Sequence, residues 1–166
     1  MRARNDEPTA VESETFTVTA HEVWSFRLDF ANLPDYNPDV SGVERVQDGQ
    51  GVGGVCGPGA RYRFRLADTR RPERDLPVEM WTLEAEEGAF VSAGMSGGNE
   101  AYEEFVVEPD GGGGCRATLT LWVSLPDGLS PDMVDQAATG SRQQIRKELD
   151  LMKVVLESRT GSASVH

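Results

Sequence analysis

Few residues in this chain have the type and spacing to do chemistry. The segment "GQGVGG" matches GxGxxG through Gly49, Gly51 and Gly54, a pattern that cradles a pyrophosphate only when it follows a strand and opens a helix. Here a clear strand, "RYRFRL", comes next and no GK[ST] follows, so the segment reads as a loop. His21 has the chemistry of a general base, but no Ser or Cys has an identifiable His partner for nucleophilic attack. Asp29, Asp35 and Asp39 gather in one segment, and a capped turn accounts for them more simply than an acid/base pair. Cys56 and Cys115 lack CxxC spacing and one of the two His is terminal, so no metal site and no cofactor are expected, and the thiols read as free. Arg61, Arg63 and Arg65 share one face of a strand. Cross-strand pairing with Glu79 or Glu84, Glu103 and Glu104 on a solvated face is one reading of that stripe. An Arg reaching into a pocket to hold a carboxylate is the other.

The elements that would position these residues follow from periodicity. "TFTVTA" (15–20) alternates as a half-buried strand, with Phe16 and Val18 on one face. A helix with Thr19 as cap follows from about His21, and Pro34 and Pro38 stop it, leaving room for a short second helical turn around 32–36. Six strands come next, at 41–47, 60–67, 77–86, 89–96, 100–108 and 115–124. The turns between them are short enough for an antiparallel meander. The clean alternation of 60–67 turns Tyr62, Phe64 and Leu66 inward. Leu119 and Leu121 follow on the last strand and Phe105 and Val107 on the sixth. Trp81 with Leu83, and Val91 with Met95, complete the expected inner face, although apolar residues on both faces leave those registers open.

A last helix spans 131–158, with Ser130 as N-cap and Pro131 at its first position. Its inward stripe is small at Ala137, Ala138, Gly140 and Ser141 and bulky from Ile145 to Leu156. Two packings suit that gradient: a tapered interior hollow near Ala137 and Ser141, or close helix-to-sheet contact at the small residues.

The 166 residues suffice for one domain with its own core. Sixteen Lys and Arg against 28 Asp and Glu leave a net charge of −12, which disfavours nucleic acid and anionic membrane surfaces as partners. No apolar run approaches a membrane span and the N-terminus lacks a signal peptide's apolar stretch, so a cytoplasmic protein is expected. Residues 1–13 read as a flexible arm, 14–158 as one domain and 159–166 as a flexible tail.

Three passages carry a resemblance: "VTAHEVWSFRLDFANLPDYNPDV", "GVGGVCGPGARYRFRL" and "YEEFVVEPDGGGGCRATLTLWV". The chain resembles the START-related SRPBCC superfamily, in particular its polyketide cyclase/dehydrase and lipid-transport branch. The resemblance implies an α+β helix-grip fold, in which a seven-stranded curved antiparallel sheet wraps around a long C-terminal helix, with two short helices between strands 1 and 2. It implies a cavity between sheet and helix whose mouth is bordered by "LPDYNPDV", and it places His21 on the surface. The expected ligand-binding residues are Tyr36, Tyr62, Phe64, Trp81, Val91, Met95, Phe105, Leu121, Ala137 and Ser141, around a small hydrophobic molecule such as a lipid or aromatic polyketide. A cyclase or dehydratase acting in the same cavity is the rival reading, but no catalytic dyad shows among the inward residues. A protein-interaction module with a filled cavity is the third, and neither the ligand nor the oligomeric state, a homodimer included, is written in the sequence.

Overall fold

The computed structural model describes residues 7–68, 71, 73–97 and 99–163. Seven antiparallel strands, β1 (Ala10–Phe16), β2 (Val40–Gln47), β3 (Arg61–Ala67), β4 (Asp75–Glu86), β5 (Ala89–Ser96), β6 (Asn99–Pro109) and β7 (Cys115–Val123), form one sheet in the order β1-β7-β6-β5-β4-β3-β2. Between β1 and β2 come α1 (Ala20–Leu28), a 3-10 turn (Phe30–Asn32) and the four-residue α2 (Leu33–Tyr36). The long α3 (Pro131–Ala163) ends the chain's described part. This is the helix-grip arrangement expected from the resemblance. No helix of the described residues is long and apolar enough to cross a membrane.

Local chemistry sets the boundaries. Thr19 closes a capping box with Glu22, side chain to backbone in both directions, which fixes where α1 begins. Val23, Trp24, Phe26, Arg27 and Leu28 are all buried, because α1 is enclosed by the sheet on one side and reached by α3 on the other. Pro34 sits in the first turn of α2, where its missing N–H costs nothing. Asn37 ends the helix and passes the chain into β2.

Three expectations need correction. The first strand is Ala10–Phe16 rather than 15–20, so residues 10–13 of the expected arm belong to the sheet, while 1–6 lie outside the described residues. Its polar middle hid it. Glu12 and Glu14 do not face apolar core but pair with Arg146 on α3, and Lys153 joins at Glu14. Arg146 and Lys153 also donate to the Ser13 and Thr15 carbonyls, at 2.6 and 2.9 Å, so α3 covers this sheet edge.

The second correction is at the other end, where α3 runs on to Ala163 and takes in the first part of the expected tail. The third concerns β4, where Val78, Met80 and Thr82 oppose the inward residues of β5, and Trp81 lies opposite Ala93 on the other face. A bulge between Thr82 and Glu84 shifts the register, and apolar residues on both faces erased the alternation that would have shown it.

Candidate functional site

The site is built on an aromatic floor. Phe30, from the turn after α1, meets Tyr62 of β3 edge-on at 5.2 Å and Phe90 of β5 at 6.1 Å. Phe90 in turn packs on Phe105 of β6 at 5.6 Å. Arg27 of α1 lies above this layer, its guanidinium 5.3 Å from the Phe105 ring centre and 5.1 Å from that of Tyr36. Such faces attract a desolvated cation.

Arg27 is 1% exposed, and a charge so deep requires partners. Its Nε donates to Glu103 Oε1 of β6 at 2.8 Å, and its Nη2 to Glu148 Oε1 of α3 at 3.0 Å. Its Nη1 lies 3.3 Å from Met152 Sδ. Glu148 Oε2 accepts from Asn37 Nδ2 at 3.3 Å and from Gln144 Nε2 at 3.2 Å. One buried cluster thereby ties α1, β6, α3 and the end of α2 together. Burial alone would lower the Arg27 pKa, but the Glu103 and Glu148 carboxylates hold the guanidinium firmly protonated. Burial raises the pKa of Glu148, and Arg27 opposes that shift without cancelling it.

Above the cluster a cavity of about 330 Å³ opens between the sheet and the helical segment. Arg27, Asn37, Glu103, Gln144 and Glu148 form its polar end, and Phe30, Leu33, Val40, Phe64, Leu66, Val78, Met80, Leu121 and Val123 give it apolar walls. Its outer part is bordered by Met95, Ser96, Asn99 and Glu100 on the β5–β6 hairpin. Leu33, Asn37 and Val40 bring the "LPDYNPDV" segment to its wall.

Phe64, Met95 and Leu121 line the cavity; Tyr36, Tyr62, Trp81, Val91, Phe105, Ala137 and Ser141 are not among the lining residues. Tyr62 and Phe105 are core side chains of the floor. Tyr36, fully buried, packs against Phe26 at 5.7 Å and carries a hydroxyl with no hydrogen-bond partner. Burial raises its pKa, with Arg27 opposing. Val91 lies opposite Glu84 and Glu104, on the face away from the cavity.

Ala137 and Ser141 belong to a part of α3 that has no buried residue before Ile145, because the helix packs chiefly on β1 and α2. The hollow is made by the sheet instead. Ser92 and Gly94 of β5 and Ala101 of β6 stand where larger side chains would fill it.

The remaining chemical residues are structural. Arg61 pairs with Glu79, and Arg65 lies 3.4 Å from Asp75, on the exposed face. His21 pairs with Glu87 on the surface. Asp29 caps the 3-10 turn through the Ala31 N–H, and Asp35 lies 3.8 Å from Arg159. The glycine loop after β2 closes on itself through Gly49 N–H to Val55 O and Gln50 N–H to Pro58 O, then leads into β3. Both cysteines are free.

Sequence reasoning missed Arg27, Glu103 and Glu148. Arg27 lies within an apolar helical run, and Glu103 reads as a member of the solvated face. Glu148 falls one residue before Leu149 on the inward stripe. A charged residue within an apolar segment was the available signal.

An antiparallel sheet gripping a helix around a cavity defines a protein of the helix-grip fold. Residues 7–157, most of the chain, match the family model described as polyketide cyclase / dehydrase and lipid transport, and the chain belongs to that family. Solved structures share the fold. A START superfamily protein from Mycobacterium smegmatis has 15% identity and a TM-score of 0.69, covering 89% of this chain and 97% of its own. A protein from Thermus thermophilus has 16% identity and a TM-score of 0.69, covering 90% and 97%. The di-domain ARO/CYC protein BexL of the BE-7585A biosynthetic pathway has 18% identity and a TM-score of 0.65, covering 89% of this chain and 46% of its own. No curated protein matches the chain.

Proposed function

We propose that this protein binds a small, mostly apolar molecule between its sheet and α3, with the molecule's polar end at the Arg27–Glu103–Glu148 cluster. The observation that carries the reading is the cavity of about 330 Å³, apolar along its walls and polar at one end. That volume lies near the lower bound of the roughly 300–1,000 Å³ of small-molecule sites. An open interior also argues against an interaction module with a filled core. Native mass spectrometry of the untreated protein tests the reading. Excess mass that vanishes on denaturation, and is missing from a folded Ala101→Phe variant that fills the cavity, supports it. Equal excess mass in both proteins places the molecule elsewhere and overturns it.

One observation favours a second reading, a cyclase or dehydratase acting on a carbonyl-bearing ligand. Glu148 lines the cavity with a pKa raised by burial, and a carboxyl perturbed in that direction inside a cavity is a candidate general acid or base. A captured molecule that wild type converts over time, and that Glu148→Gln binds but leaves unchanged, would establish that reading. Release of the molecule unchanged by both proteins leaves the binding role.

A further inference from the structure

The donors at the polar end of the cavity already serve its carboxylates. All three Arg27 nitrogens face Glu103, Glu148 or Met152. The side-chain amides of Asn37 and Gln144 both donate to Glu148. Three carboxylates, Glu100, Glu103 and Glu148, line the cavity, and Arg27 is the sole Lys or Arg among its lining residues. Glu103 gives Oε1 to Arg27 and is 12% exposed at its side chain, toward the cavity. Opposite Glu103 across the β5–β6 ladder stands Ser92. Ser92 is 0% exposed, lines the cavity, and carries a hydroxyl with no hydrogen-bond partner. An orphaned hydroxyl beside a carboxylate, in a space large enough for a ligand, marks where a ligand's polar group belongs.

Resting on the binding role proposed above, we infer that the occupant carries a hydrogen-bond-donating head, a hydroxyl or an amine, held between Ser92 Oγ and the Glu103 carboxylate. A carboxylate head is rejected there. It would face a surplus of negative charge, with Arg27, the one Lys or Arg lining the cavity, already paired to two carboxylates. Fatty acids and other anionic lipids are thereby disfavoured, while alcohols, phenols and amines of similar apolar bulk are selected.

Four ligands with one apolar body test this: naphthylmethanol, naphthylmethylamine, naphthoate and methylnaphthalene, titrated against wild type and Glu103→Gln by calorimetry or ligand fluorescence. The alcohol and the amine are expected to bind at least about tenfold more tightly than naphthoate. Methylnaphthalene is expected between them, and Glu103→Gln should narrow the gap. Naphthoate binding as tightly as the alcohol overturns the inference while leaving the binding role intact. Methylnaphthalene matching the alcohol does the same, because the head would then contribute nothing. Failure of all four to bind overturns both. A gap unchanged in a folded Glu103→Gln protein removes Glu103 from the role.

Discussion

The Arg27 side chain concentrates the electrostatics of the interior in a single group. Removing it as Arg27→Met strands two carboxylates, and loss of about 3–5 kcal/mol of stability is expected in denaturant unfolding. The double variant Arg27→Met/Glu148→Leu should lose much less, because one of the stranded charges goes with it. Glu148 also makes stability depend on pH. Its folded pKa is raised above the ordinary 4.5, so its contribution is fully present below that value and is lost as pH rises through the folded value. The stability of wild type relative to Glu148→Gln should therefore decline over that window and level off above it, measured by chemical denaturation across the acid-to-neutral range. Ser92→Val is expected to stabilise the ligand-free protein by about 1 kcal/mol, since it removes a buried hydroxyl with no partner.

At the scale of elements, most of the fold could be read from periodicity. β3 announced itself through Tyr62, Phe64 and Leu66 alternating with three arginines. The start of α1 was set by Thr19, and Thr19→Ala should cost about 1 kcal/mol in the same assay. The β2–β3 loop was legible as a loop from the strand behind it. It depends on glycine, since a Cβ at Gly57 would overlap the Val52 carbonyl oxygen and lie 2.7 Å from that of Gln50. Gly57→Ala should destabilise by about 1–3 kcal/mol, checked by thermal unfolding.

What stayed hidden was hidden for physical reasons. β1 is stabilised by charges on another element about 130 residues away in sequence order, as the Glu14–Arg146 hydrogen bond shows, and no local pattern encodes that. Of the residues expected at the candidate site, Phe64, Met95 and Leu121 line the cavity, all of them apolar. A buried ion cluster draws one member each from α1, β6 and α3, and no local pattern pairs residues so far apart in the chain.

For the whole molecule, the sheet and the long helix leave an interior whose polar end is locked by contacts among four elements and whose outer end opens beside the β5–β6 hairpin. The space owes its existence to three short side chains on two central strands, Ser92, Gly94 and Ala101. The grip of α3 on β1 is made by other residues, although a Cβ at Gly94 would come within 3.2 Å of Met80 Cγ, which would have to shift. Cavity size is therefore adjustable a few atoms at a time, by substitutions that leave the ion cluster untouched. Related chains could diverge widely in the shape of molecule they accept while keeping one architecture, and a set of variants at these positions would be a direct way to re-aim this one.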